Sequence, residues 1–89
     1  MMSSKKLTIS NEEGLQSRSA ALLVQVAGRF SSNIWIEQGS KRVNAKSIMG
    51  VLSVKLRRGD TFFIAATGSD EDEAVAAIAH LIEKGEADA

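Results

Sequence analysis

The stretch NIWIEQGSKRVNAKSIMGVLSVKL, residues 33–56, changes its hydrophobic period part-way along, and that change dictates the architecture. Ile34 and Ile36 alternate with Asn33, Trp35 and Glu37, the period-two pattern of a strand with one buried face. Gly39-Ser40 is a turn signal and KRVNA follows, so the two segments read as a hairpin. Ser47 then precedes the apolar run IMGVLSVKL. Serine in that place is a helix N-cap, because its hydroxyl accepts a backbone N–H that the first turn leaves without a partner. Gly50 and β-branched Val51 limit this helix to a short one.

Working outward, KKLTIS alternates Leu7 and Ile9 with polar neighbours and predicts a first strand. After a turn at Gly14, the residues Ala20, Leu23, Val24, Ala27 and Phe30 recur at spacings of three and four, one stripe of an amphipathic helix that frays near Gly28. Downstream, Arg58-Gly59-Asp60 breaks the chain, and TFFIAAT has the compact, β-branched and aromatic character of a central strand. Ser69 followed by DEDE predicts a capped last helix whose apolar face is Ala74, Val75, Ile78, Leu81 and Ile82. The order is βαββαβα. Three amphipathic helices need a common surface, and one face of a four-stranded antiparallel sheet supplies it, an open-faced α/β sandwich. Only the ends, MMSS and GEADA, are expected to fray.

The bulk numbers exclude several classes. A chain of 89 residues, 44% hydrophobic, has material for one core. No run approaches the ~18 apolar residues of a membrane span, and MMSSKKL lacks a secretory apolar stretch, so the expectation is a soluble cytoplasmic protein with no membrane contact. With no cysteine and a single histidine there is no zinc spacing and no thiolate chemistry; no metal or cofactor is expected. Only 4% of residues are aromatic and the formal net charge is zero, which disfavours direct nucleic-acid binding. That zero conceals a split: residues 1–58 carry ten Lys/Arg against three Glu, while the remainder carries one Lys against eight acids. The acids crowd the start of the last helix, where its dipole favours them; the basic part suits a phosphate or acidic partner. His80 lies about 200° from Ile78 on the helical wheel, hence on the polar face. Trp35 alternates opposite Ile34 and Ile36 and should sit on the open face of the sheet.

Two segments carry a family resemblance. GLQSRSA, residues 14–20, resembles the active-site segment Gly-Leu-His-x-Arg-Pro-Ala of phosphocarrier HPr, and NAKSIMGVLSV, residues 44–54, resembles the regulatory-serine segment of Gram-positive HPr. The resemblance runs over nearly the whole chain. It implies a single HPr-like domain over residues 1–89, with strand order 1-4-2-3 and three helices on one face. Ordinary members relay a phosphoryl group from enzyme I to sugar transporters through the histidine, and here Gln16 replaces it. An amide nitrogen has a delocalised lone pair and is no nucleophile, so the relay should be dead. Ser19 stands where the family has proline, leaving Ser17 or Ser19 to cap the helix.

Loss of the histidine with retention of the serine segment is similar to a catabolite-repression subgroup of the family, whose members signal rather than carry. The resemblance implies no enzyme activity, phosphorylation of Ser47 by HPr kinase/phosphorylase, and corepression with a LacI-type catabolite control protein. Gln16, Arg18, Ile48, Met49 and Leu52 would form the partner surface. The alternatives are a carrier or docking domain whose phosphorylation site is rerouted to Ser17 or Ser19, or absent. The exposed β1 edge makes a homodimer conceivable, although Lys5 and Lys6 oppose it.

Overall fold

A computed structural model describes residues 2–84. Its elements are β1 (Met2–Thr8), α1 (Ser17–Ala27), β2 (Asn33–Gln38), β3 (Lys41–Asn44), α2 (Ile48–Val54), β4 (Thr61–Thr67) and α3 (Glu71–Glu83). The strands form one antiparallel sheet in the order β1-β4-β2-β3. Register places Leu7 opposite Phe62, Ile36 opposite Ile64 and Ile34 opposite Ala66, so these inward residues of the period-two pattern meet one another across the strands, while Ile9 lies just beyond the end of β1. The three helices cover that face. Leu23 and Ala27 of α1, Val51 of α2 and Ala74, Ile78 and Ile82 of α3 join the strand residues in one buried cluster. Each fully buried Leu, Ile or Phe in it contributes about 1.5–3 kcal/mol.

Three expectations need correction. β1 begins at Met2, because Ser3 and Ser4 pair with Ala66 and Ala65 rather than fraying. Met1 and residues 85–89, the rest of the expected frayed ends, lie outside the described residues. α1 stops at Ala27; Phe30 reaches the core from the following loop instead of from the helical stripe. The N-cap of α3 is Asp70, not Ser69. The Asp70 carboxylate does not cap that helix either: it accepts from the Ser31 backbone N–H at 2.9 Å, from the Ser32 N–H at 3.0 Å, and from the buried Ser32 hydroxyl. Those bonds join the start of α3 to the loop before β2 and pull the Asp70 carboxyl down to about 2 from its ordinary 3.8, the Ser32 hydroxyl contributing most. No helix among the described residues is long and apolar enough to cross a membrane.

Candidate functional site

The GLQSRSA segment is held by its backbone. Gly14 sits at φ +72° against the chain before β4, and a Cβ there would lie 2.6 Å from the Leu56 carbonyl oxygen. Leu15 donates its N–H to that same oxygen at 2.9 Å and buries its side chain in the core. This clamp delivers Gln16 to the N-cap of α1, where its carbonyl accepts the first intrahelical bond, from Ala20 at 2.7 Å. Ser19, buried at the third helical position, accepts the Gln16 N–H on its hydroxyl at 3.0 Å. The same hydroxyl has the Gly14 and Gln16 carbonyls in reach at 3.2 Å. Thus Gln16 is the cap and Ser19 braces it from within; Ser17 stays exposed.

The second segment is held by side-chain caps. Ser47 is the N-cap of α2 in extended geometry, and its Oγ accepts the Gly50 N–H at 3.2 Å. A β-carbon at position 50 would lie 3.5 Å from that oxygen and 3.3 Å from the Asn44 carbonyl, so glycine keeps the surroundings of Ser47 open. Asn44 receives the Lys46 N–H on Oδ1 at 2.8 Å, and Lys46 Nζ donates to the Phe30 carbonyl at 2.7 Å. At the other end of α2, Lys41 Nζ donates to the Ser53 carbonyl at 2.8 Å, a cation at the negative helix end.

Of the residues singled out from sequence, Met49 is 75% exposed and Ile48 is 38% exposed, two apolar side chains presented to solvent beside Ser47. Leu52 does not continue that ridge: it is half-buried against the core and lines a groove of about 420 Å³ with Gln16. Glu13, Ser17, Lys55 and Arg57 share the groove. Arg18 and Gln16 line a second hollow, with Asn11, Glu12 and Glu13. Gln16 belongs to both, so one amide links Arg18 on α1 to the flank of α2. Sequence reasoning missed Lys55 and Arg57. Lys55 is the left-handed C-cap of α2, and Arg57 is fixed by a turn in which its N–H meets Asp60 Oδ2 at 2.8 Å. The basic run before Gly59 was the available signal. No group of metal-ligating side chains occurs among the described residues.

A family model described as PTS HPr component phosphorylation site matches residues 3–84. The chain belongs to the HPr family. Within the family it is similar to the HPr-like protein Crh of Halalkalibacterium halodurans, 47% identical over 83 residues that span 93% of this chain and 99% of the relative. In fold it is similar to HPr-C-His from Thermoanaerobacter tengcongensis, with TM-score 0.89 and 46% identity over 92% of each chain. It is also similar to Bacillus subtilis Crh, with TM-score 0.76 and 41% identity over 90% of this chain and 92% of that one; that crystal structure is reported as a dimer with a swapping domain. The HPr fold, its strand order and its helix arrangement therefore stand as expected from the sequence.

Proposed function

We propose that this HPr-like chain is a signalling member of the catabolite-repression type: Ser47 is phosphorylated by HPr kinase/phosphorylase, and the modified protein is the corepressor of a LacI-type catabolite control protein. It catalyses nothing itself. The observation that carries the reading is the pairing of an N-cap serine, flanked by exposed Ile48 and Met49, with an amide at the place of the carrier histidine. Similarity to Crh supports it.

In the kinase step the Ser47 oxygen attacks the γ-phosphorus of ATP, ADP leaves, and the hydroxyl proton passes to the enzyme. The ester adds about −1.5 to −2 charges at a helix start, where unpaired N–H groups and the dipole favour an anion. The cap geometry is already in place, so the backbone need not rearrange. The phosphate then meets basic groups of the repressor while Ile48 and Met49 supply apolar contact, and Arg18 and Gln16 extend the surface across the groove. Two charge-assisted hydrogen bonds at about 1.5 kcal/mol each are enough to change affinity by about two decades. Gln16 keeps the chain out of histidine phosphotransfer, since an amide cannot accept the phosphoryl group. The setting is the cytoplasm, and the dimer reported for the Bacillus subtilis relative makes self-association part of the proposal.

The test is to weigh the protein after separate incubation with ATP plus HPr kinase and with phosphoenolpyruvate plus enzyme I. One phosphoryl group gained only with ATP, and lost in Ser47→Ala, is the expected result. A gain from phosphoenolpyruvate, or none from either, refutes the proposal.

A further inference from the structure

The hairpin of β2 and β3 carries a hollow of about 360 Å³ that shares no residue with the two beside Gln16. Its walls are Trp35, Arg42, Val43 and Lys46, with the carboxamides of Asn33 and Asn44. Cross-strand register explains the gathering: Trp35 pairs with Asn44 and Glu37 with Arg42, so four side chains of adjacent strands share one face of the hairpin. Glu37 fixes two of them through one oxygen. Its Oε2 accepts the Trp35 Nε1–H at 2.7 Å and lies 3.6 Å from Arg42 Nε. The guanidinium in turn lies over the indole, 4.1 Å from the ring centroid.

A planar cation stacked on an indole presents a second plane outward, and the Arg42 side chain is 61% exposed, so that plane is open. Glu37 neutralises part of the Arg42 charge, which leaves Lys46 to supply the net positive charge of the hollow. Lys46 Nζ gives one N–H to the Phe30 carbonyl at 2.7 Å and has two more to offer. Asn44 Oδ1 is taken by the Lys46 backbone N–H at 2.8 Å, so the end of that carboxamide left for a ligand is its donor nitrogen. No carboxylate is among the lining residues. Donors and positive charge select an oxyanion, the open guanidinium plane selects a flat ring, and carboxamides match the donor and acceptor edge of a nucleobase. The volume falls at the small end of the range for small-molecule sites, about 300–1,000 Å³. Beyond Trp35 the face continues into acidic Glu37 and buried Ala65, so a nucleic-acid strand finds no cationic track leading from the hollow.

We propose that the hollow between Trp35, Arg42 and Lys46 is a binding site for a free mononucleotide. The nucleobase stacks on the outer plane of the Arg42 guanidinium, Asn33 and Asn44 meet its edge, and Lys46 holds the phosphate. Glu37 and the indole hold Arg42 in place before the ligand arrives, which lowers the ordering cost of binding. The site binds reversibly, with no bond made or broken, and it does not rest on the Ser47 reading. Because the hollow is open to solvent, the dissociation constant should be on the order of 0.1–1 mM.

The experiment is titration of the full chain with AMP at constant ionic strength, followed by calorimetry and by the fluorescence of Trp35, the sole tryptophan. Saturation at one nucleotide per chain is expected, with adenosine and inorganic phosphate each bound at least about tenfold more weakly than AMP. Asn44→Asp keeps an oxygen for the Lys46 N–H, and with it the local turn, but sets a carboxylate into the hollow; it should weaken AMP binding at least about tenfold. Lys46→Gln should remove the preference for AMP over adenosine and leave adenosine binding within about twofold of the natural chain. Arg42→Lys keeps the charge and loses the plane, so it should weaken AMP and adenosine alike. No saturable response below about 10 mM AMP, inorganic phosphate that reproduces the AMP response, or AMP affinity indifferent to Asn44→Asp would each overturn the proposal. So would saturation by a single-stranded oligonucleotide at far lower concentration than by AMP.

Discussion

Replacing Gly14 by alanine should be among the most damaging single-methyl changes available in this chain, and the structure says by how much. Two costs act together. Any L-residue at φ +72° pays about 1–2 kcal/mol for left-handed backbone. The added Cβ also meets the Leu56 oxygen at 2.6 Å and Arg57 Cα at 2.9 Å, both main-chain atoms that cannot swing aside. Relieving that overlap costs about 1–3 kcal/mol, and it moves the carbonyl that accepts the Leu15 N–H, a bond worth about 0.5–1.5 kcal/mol. The expected loss is about 3–5 kcal/mol, or roughly 15 °C or more in melting temperature. Gly39→Ala is the internal control. It too is left-handed, at φ +59°, but nothing lies within 4 Å of its Cβ, so it bears only the first cost. Urea unfolding of both variants isolates the overlap as their difference. A difference below about 1 kcal/mol would mean that the loop before α1 does not rest on residues 56 and 57, and the account of how Gln16 is positioned would fail.

Two further outcomes follow from named contacts. Asp70 has its carboxyl lowered to about 2, so its bonds to Ser32 and Ser31 stabilise the fold fully above the ordinary carboxylate range and lose that effect as pH falls through about 2. The melting-temperature gap between the natural chain and Asp70→Asn should therefore be constant well above pH ~4, narrow below it and vanish only below pH ~2; a gap that widens in acid contradicts the sign. Met49→Ala should change stability by less than about 0.5 kcal/mol, since its side chain is 75% exposed, and, on the function proposed above, weaken binding of the Ser47-phosphorylated protein to the repressor at least about tenfold. Unchanged affinity by calorimetry would remove Met49 from the docking ridge.

Much of the fold was legible because its signals are local. The alternation of Ile34 and Ile36 marks a one-sided strand wherever that strand lies in the sheet, and Ser47 ahead of an apolar run is a cap whatever packs around it. Strand order is different. That β4 inserts between β1 and β2 depends on pairings such as Trp35 with Ala65 and Leu7 with Phe62, contacts between residues distant in sequence that no periodicity encodes. It came from the resemblance. The misread cap of α3 has the same origin: Ser69 was the natural local choice, but the carboxylate next to it is drawn to Ser31 and Ser32, some 38 positions earlier. At the candidate site, Ile48 and Met49 could be read as outward because a seven-residue helix has too many apolar side chains for one stripe. Lys55 and Arg57 could not be placed beside Gln16, since that proximity requires the clamp between Leu15 and Leu56.

The clamp also explains how a phosphocarrier-like segment can stand without its nucleophile. Gly14 and Leu15 are demanded by packing against the chain at Leu56 and Arg57, and that demand is the same whether position 16 holds imidazole or amide. Position 16 itself needs only an extended backbone whose carbonyl starts α1 and whose N–H reaches a partner, here the Ser19 hydroxyl. The fold therefore imposes the frame of the motif, while the side chain inside the frame is set by chemistry alone. A chain of this architecture can therefore change the side chain at position 16 and keep the groove between α1 and α2 intact.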